Sequence, residues 1–177
     1  EVMLPVRTVQ GYYQILEDTL VAIRLDAWHK SVRKRLVRHP KYYFFDTGVT
    51  NAICRRLDVE PDRVLHGRLF EQWVVLETYR LLIYLQSGIR IFYWRTSAGA
   101  EVDIVFEKSG EIIAGCEIKS GRIITSAHTS GLRALADDYP DIPKFIVCEA
   151  DEPYHIGKTE VVPWKIFFER LVSGKLL

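Results

Sequence analysis

At 177 residues and 48% hydrophobic composition, the chain can bury one core of ordinary size, with length left for a short appendage. A formal net charge of +1 excludes a polycation, so any contact with nucleic acid must come from local patches. No apolar run approaches the ~20 residues of a membrane span, and no signal-peptide pattern opens the chain. Cys54, Cys116 and Cys148 are odd in number and scattered, which suits a reducing cytoplasm and small buried side chains better than disulfides. The first residue is Glu1, which suggests a fragment of something longer.

Taken in order, residues 9–16 read as a helix carrying Val9, Tyr12, Tyr13, Ile15 and Leu16, with Thr8 as its N-cap. Residues 20–25 read as a strand. Residues 30–41 then hold Lys30, Arg33, Lys34, Arg35, Arg38 and Lys41 and no acid. A helix followed by a basic two-stranded wing has the outline of the end of a winged helix, and such a wing can neutralise phosphates. The competing reading is a solvated basic strand packed on the main domain.

Tyr42-Tyr-Phe-Phe-Asp46 is β-prone and runs into an Asp-Thr-Gly48 turn. A short helix over 49–57 is broken by residues 58–62. A long helix follows over 65–85, with Leu65, Leu69, Phe70, Trp73, Val74, Leu81 and Tyr84 at helical spacing. Residues 89–95 read as a strand and 96–100 as a turn. A helix over 126–139, a buried strand over 144–148, a polar loop over 149–159, a short strand at 161–163 and a closing helix complete the chain.

Residues 101–119 carry the chemistry. Glu101-Val-Asp-Ile-Val-Phe-Glu107 alternates with period two, which puts Val102, Ile104 and Phe106 on one face. Residues 112–119 are apolar apart from Glu117 and Lys119, which share a face. A three-residue loop around Gly110 would pair residue i with 220 − i and set Asp103 opposite Glu117. Like charges directly opposed are destabilising. A divalent cation, Lys119, or a proton on one carboxylate would each compensate. The first two together describe a metal-dependent hydrolytic site.

An Asp, thirteen intervening residues and Glu-x-Lys, in a helix–three strands–helix–strand order, resembles the PD-(D/E)xK nuclease superfamily. Lys41-Tyr-Tyr-Phe-Phe-Asp-Thr-Gly48, Gly67-Arg-Leu-Phe-Glu-Gln-Trp-Val74, Tyr93-Trp-Arg95, Glu101-Val-Asp-Ile-Val105, Glu117-Ile-Lys-Ser120 and Val162-Pro-Trp164 look like the DUF4143 domain. That domain is the carboxy-terminal part of prokaryotic AAA-type ATPases. The resemblance implies an α/β fold with a restriction-endonuclease-like mixed sheet flanked by helices over residues 42–177. Residues 1–41 would be the winged-helix remnant that links it to the ATPase module.

What it further implies is a nuclease-like site that hydrolyses DNA phosphodiesters. Asp103 and Glu117 would ligate Mg²⁺ or Mn²⁺, Lys119 would be the electrostatic catalyst, and Glu71 on the long helix would support them. Arg33, Lys34, Arg35, Arg38 and Arg95 are the candidate DNA contacts. Trp94 beside Arg95 is as readily a core aromatic. The five histidines have no metal spacing and no P-loop occurs, so the chain itself is not expected to hydrolyse ATP. The rival reading is an inactive domain that binds DNA or a partner for the ATPase. No oligomeric state is legible in the sequence.

Overall fold

The computed structural model describes residues 3–30 and 39–177. The basic residues Arg33, Lys34, Arg35 and Arg38 lie outside them. A helix α1 (Val6–Asp18) leads into a two-stranded antiparallel sheet of β1 (Ala22–Leu25) and β2 (Lys41–Phe44). Helix α1 begins after Pro5, two residues before the expected Thr8 cap, and buries no residue. β2 pairs only with β1, so it stands outside the larger sheet.

The helices that follow are started by aspartates. Asp46 accepts from the Val49 N–H at 3.0 Å and opens α2 (Thr47–Ile53), where the sequence suggested a turn. Asp62 accepts from the Leu65 N–H at 2.7 Å and opens α3 (Arg63–Tyr84). Each satisfies a backbone donor that the first helical turn leaves without a partner. α3 is buried on most of its circumference around Val74, Val75 and Leu76. One side meets the large sheet, and Gln72 on another donates to the Phe44 carbonyl at 2.9 Å. Tyr84, expected to face inward, is exposed; Leu82 fills that role.

Six strands make a mixed sheet in the order β3-β4-β5-β6-β8-β7. They are β3 (Arg90–Arg95), β4 (Glu101–Lys108), β5 (Glu111–Lys119), β6 (Lys144–Cys148), β7 (Tyr154–Ile156) and β8 (Thr159–Pro163). β5, β6 and β8 run parallel; the remaining pairs are antiparallel. The polar stretch 149–159 thus contains an edge strand, β7, turned back through Gly157 at φ 60°. Its three residues carry too little apolar pattern to announce it.

Helices α3 and α5 (Trp164–Val172) cover one face of the sheet, with Trp73 set edge-on to Trp164 and Phe168 at 5.0 and 5.4 Å. The other face is covered by α4 (Ser130–Asp138), entered through a 3₁₀ turn at Ser126–Thr129. Gly115 lets α4 approach: a Cβ there would sit 2.5 Å from Leu135 Cδ2. The β3 edge is closed by the segment after β1, where Trp28 N–H donates to the Tyr93 carbonyl at 2.6 Å. Among the described residues no helix is long and apolar enough to cross a membrane.

Asp62→Ala should cost about 1 kcal/mol through the lost cap. Thermal melting should show a midpoint lower by ~2–4 °C; an unchanged midpoint would contradict the capping role.

Candidate metal and phosphate site

The β4–β5 hairpin differs from its expected form in two ways that cancel at the site. Its loop has two residues, Ser109 and Gly110, both at positive φ, which is the turn that suits two twisted strands. Glu107 steadies the loop by accepting from the Gly110 N–H and from Arg90 Nε. This loop sets Lys108 against Glu111 and Glu107 against Ile112, a register one residue short of the expected one. A bulge then restores it, and Phe106 pairs with Ala114 and Ile104 with Cys116. Without the bulge, every side chain beyond would change faces.

A second irregularity lies between β3 and β4, where the register shifts between Phe92 and Trp94. Val102 consequently packs with Trp94 and Leu132 on one face while Ile104 and Phe106 pack on the other. The regular alternation expected for Val102, Ile104 and Phe106 is broken at Asp103. There the ladder gives way to a side chain: Asp103 Oδ2 accepts from the backbone N–H of Ile118 at 2.8 Å. Asp103 and Glu117 are both buried, at 9% and 5% exposure.

Lys119 spans the two acids, with Nζ 3.0 Å from Glu117 Oε2 and 3.8 Å from Asp103 Oδ2. Burial works against its charge, but Asp103 and Glu117, with Glu71 behind them, outweigh it and hold Lys119 above the ordinary lysine value. Glu117 is pushed up to about 8, first by burial and then by the charge of Asp103, against the pull of Lys119. On its far side, Glu117 meets the start of α4. A Cβ at Gly131 would overlap both Glu117 Oε1 and the carbonyl oxygen of Glu101, so only glycine lets the helix in.

Glu71 reaches the same region from α3. Its Oε1 accepts from Tyr43 Oη at 2.8 Å and lies 3.7 Å from Lys41 Nζ. Burial and the charge of Asp103 raise it; Lys41, the Tyr43 hydroxyl and Lys119 partly offset this. Lys41, read in the sequence as one more basic residue of the wing, turns inward instead and sits 2.5 Å from Glu101 Oε1. It lies over the ring of Tyr93 at 5.4 Å. Tyr43 and Lys41 are thus site residues that charge counting passed over. Their only signal was their place in the Lys41–Gly48 motif.

Arg95 stands at the rim, more than half exposed, 3.6 Å from Glu101 Oε2, whereas Trp94 is core. Among the described residues no group of three or more His, Cys, Asp or Glu is arranged to hold a metal ion. The available carboxylate donors are the pair Asp103 and Glu117. A cleft of about 730 Å³ opens beside them, at the carboxyl ends of β5 and β6, lined by the first turns of α3 and residues 118–124.

The family described as "Domain of unknown function (DUF4143)" matches residues 66–167, which span all four core positions. The chain belongs to the DUF4143 family. A second, "Domain of unknown function (DUF8612)", matches residues 1–62 and so contributes Lys41 and Tyr43. The chain is similar to the "Uncharacterized protein Rv2008c" of Mycobacterium tuberculosis and the "Uncharacterized protein Mb2031c" of Mycobacterium bovis. Each is 31% identical over 157 residues, covering 87% of this chain. The chain spans about a third, 34%, of the length of either relative. No solved structure matches it.

The raised Glu117 means that the folded DUF4143 domain binds a proton more tightly there than the unfolded chain does, whose reference value is 4.5. Stability from this group is therefore full below about 4.5 and is lost as pH rises through about 8. In EDTA, the wild-type melting midpoint should fall across that window relative to Glu117→Gln, which carries no titrating group. Parallel profiles for the two proteins would show that Glu117 is not protonated in the fold.

Proposed function

We propose that this DUF4143 domain is a metal-dependent phosphodiesterase of the PD-(D/E)xK nuclease-like type, acting on DNA. The observation that carries the reading is the buried Asp103–Glu117 pair with Lys119 Nζ against both. Such a pair lacks half its counter-charge unless Glu117 takes a proton, and a divalent cation satisfies the same deficit. The donors suit it: Mg²⁺ is commonly held by one or two carboxylates, with water and substrate phosphate for the rest. Asp103 and Glu117 would hold Mg²⁺ or Mn²⁺, which when bound supplies a water of lowered pKa and stabilises charge on phosphate oxygens.

The other roles belong to the chain. Lys119, kept charged by its acidic neighbours, presents a compact cation to a phosphate entering from the cleft. Glu71 positions the far wall, and its own orientation is fixed by Tyr43 and Lys41. The Ile118 N–H holds the Asp103 carboxylate in place. In the fuller reading, the domain serves an AAA-type ATPase in the cytoplasm, and α1 with the β1–β2 pair is the end of the winged helix that precedes it.

A second reading has an observation of its own. Lys41 lies between Glu101 and Glu71, so part of the acidic charge is neutralised by the protein itself. That arrangement favours an inactive domain that binds DNA, or a partner, for the ATPase. Supercoiled plasmid incubated with Mg²⁺ or Mn²⁺ separates the two. Hydrolysis should be visible as nicking, and Asp103→Ala or Lys119→Ala should each reduce it about 10²–10³-fold. Nicking that survives both substitutions would sink the assignment. No nicking and no calorimetric metal binding, with salt-sensitive DNA binding lost on neutralising Arg33, Lys34 and Arg35, would establish the inactive reading.

A further inference from the structure

The cleft next to Lys119 has a character that the acid cluster does not explain. Arg63 and Arg68, on the first turns of α3, line it, and neither has a hydrogen-bond or ion-pair partner among the described residues. Arg122 lines the opposite wall, 76% exposed, with Asp151 at 3.8 Å, a pairing so wet that it holds little of the charge. Of the two acids in the lining, Glu71 is held by Tyr43 and Lys41, and Glu149 lies against His66 at 3.2 Å. What remains is a set of guanidinium groups facing open space, which is the donor geometry that matches phosphate.

Between these cations the cleft offers apolar surface to water. Ile123, directly after Arg122, is 81% exposed, and Val64, directly after Arg63, is 63% exposed. Arg63 and Arg122 are thus each followed by an unburied β-branched side chain on the same wall. Phosphate recognition alone gives no use for them. A base with its face uncovered does, because exposed aliphatic side chains pack on or wedge between unstacked bases. The volume is compatible with this: about 730 Å³ lies within the ~300–1,000 Å³ of sites that take a small ligand, room for a nucleotide or two.

We infer that the cleft takes single-stranded DNA, with Arg63, Arg68 and Arg122 on consecutive phosphates and Ile123 and Val64 against the bases, leading the strand to Lys119. The inference rests on the phosphodiesterase reading for its direction, but binding tests it without hydrolysis. A fluorescein-labelled single strand of 15 thymidines and a 15-base-pair duplex are titrated with the 177-residue chain in EDTA, and anisotropy is read at several salt concentrations. The single strand should bind about 10-fold more tightly. Arg63→Ala with Arg68→Ala should weaken it at least about 10-fold and flatten the log–log salt slope by about 1.4, two phosphates at ~0.7 each. Ile123→Ser should erase the strand preference and leave the slope unchanged. All these side chains are exposed, and unaltered melting midpoints confirm intact folding.

Equal affinity for strand and duplex would overturn the inference, as would single-strand binding indifferent to the arginine pair. A strand preference that persists in a protein unable to nick DNA would overturn hydrolysis and leave the cleft assignment standing. Nicking without strand preference would do the reverse.

Discussion

Asp103 and Glu117 leave their strands side by side with less than a tenth of their surface in water. A carboxylate pair at that depth is held only by what surrounds it, since desolvation and mutual repulsion both oppose its charge. The surroundings answer with one ammonium, Lys119, one backbone donor, the Ile118 N–H, and a proton for Glu117 near neutral pH. With the proton the pair is balanced; without it, one negative charge is left over. That leftover charge is the ground on which a divalent cation is proposed to bind there.

Much of the scaffold serves to keep those two side chains where they are. The bulge in β4–β5 corrects the register that a two-residue loop would otherwise impose. The irregularity between β3 and β4 turns Asp103 out of the regular pleat. Gly131 admits α4 against Glu117, and Tyr43 with Lys41 fixes Glu71 on the other side. The two segments matched by separate families therefore meet at one cluster: the acids come from residues 66–167, and Lys41 and Tyr43 from residues 1–62.

Three of the candidate site residues were legible because their pattern is local, whereas Glu71, on α3, came only from the family resemblance. Asp103, Glu117 and Lys119 sit on one hairpin, and period-two spacing brings them together whatever the rest of the chain does. The correct pairing was nonetheless reached through the wrong turn. A three-residue loop and a two-residue loop with a bulge give the same register at Ile104–Cys116, and nothing in the residues distinguishes them. Lys41 was lost for the opposite reason. Its partners Glu71 and Glu101 lie 30 and 60 residues away, so a count of neighbouring charges places it on the surface. Edge strand β7 and the Asp46 and Asp62 caps were missed because each depends on one to three residues, below the span at which periodicity speaks.

Whether the buried pair is a cation site is addressed directly by anomalous scattering from a Mn²⁺-soaked crystal. One anomalous peak per chain is expected between Asp103 and Glu117, absent from Asp103→Asn crystals soaked alongside. Crystals without a peak, with Lys119 Nζ still bridging the two carboxylates, would show that the protein neutralises the pair by itself and would contradict a cation site there.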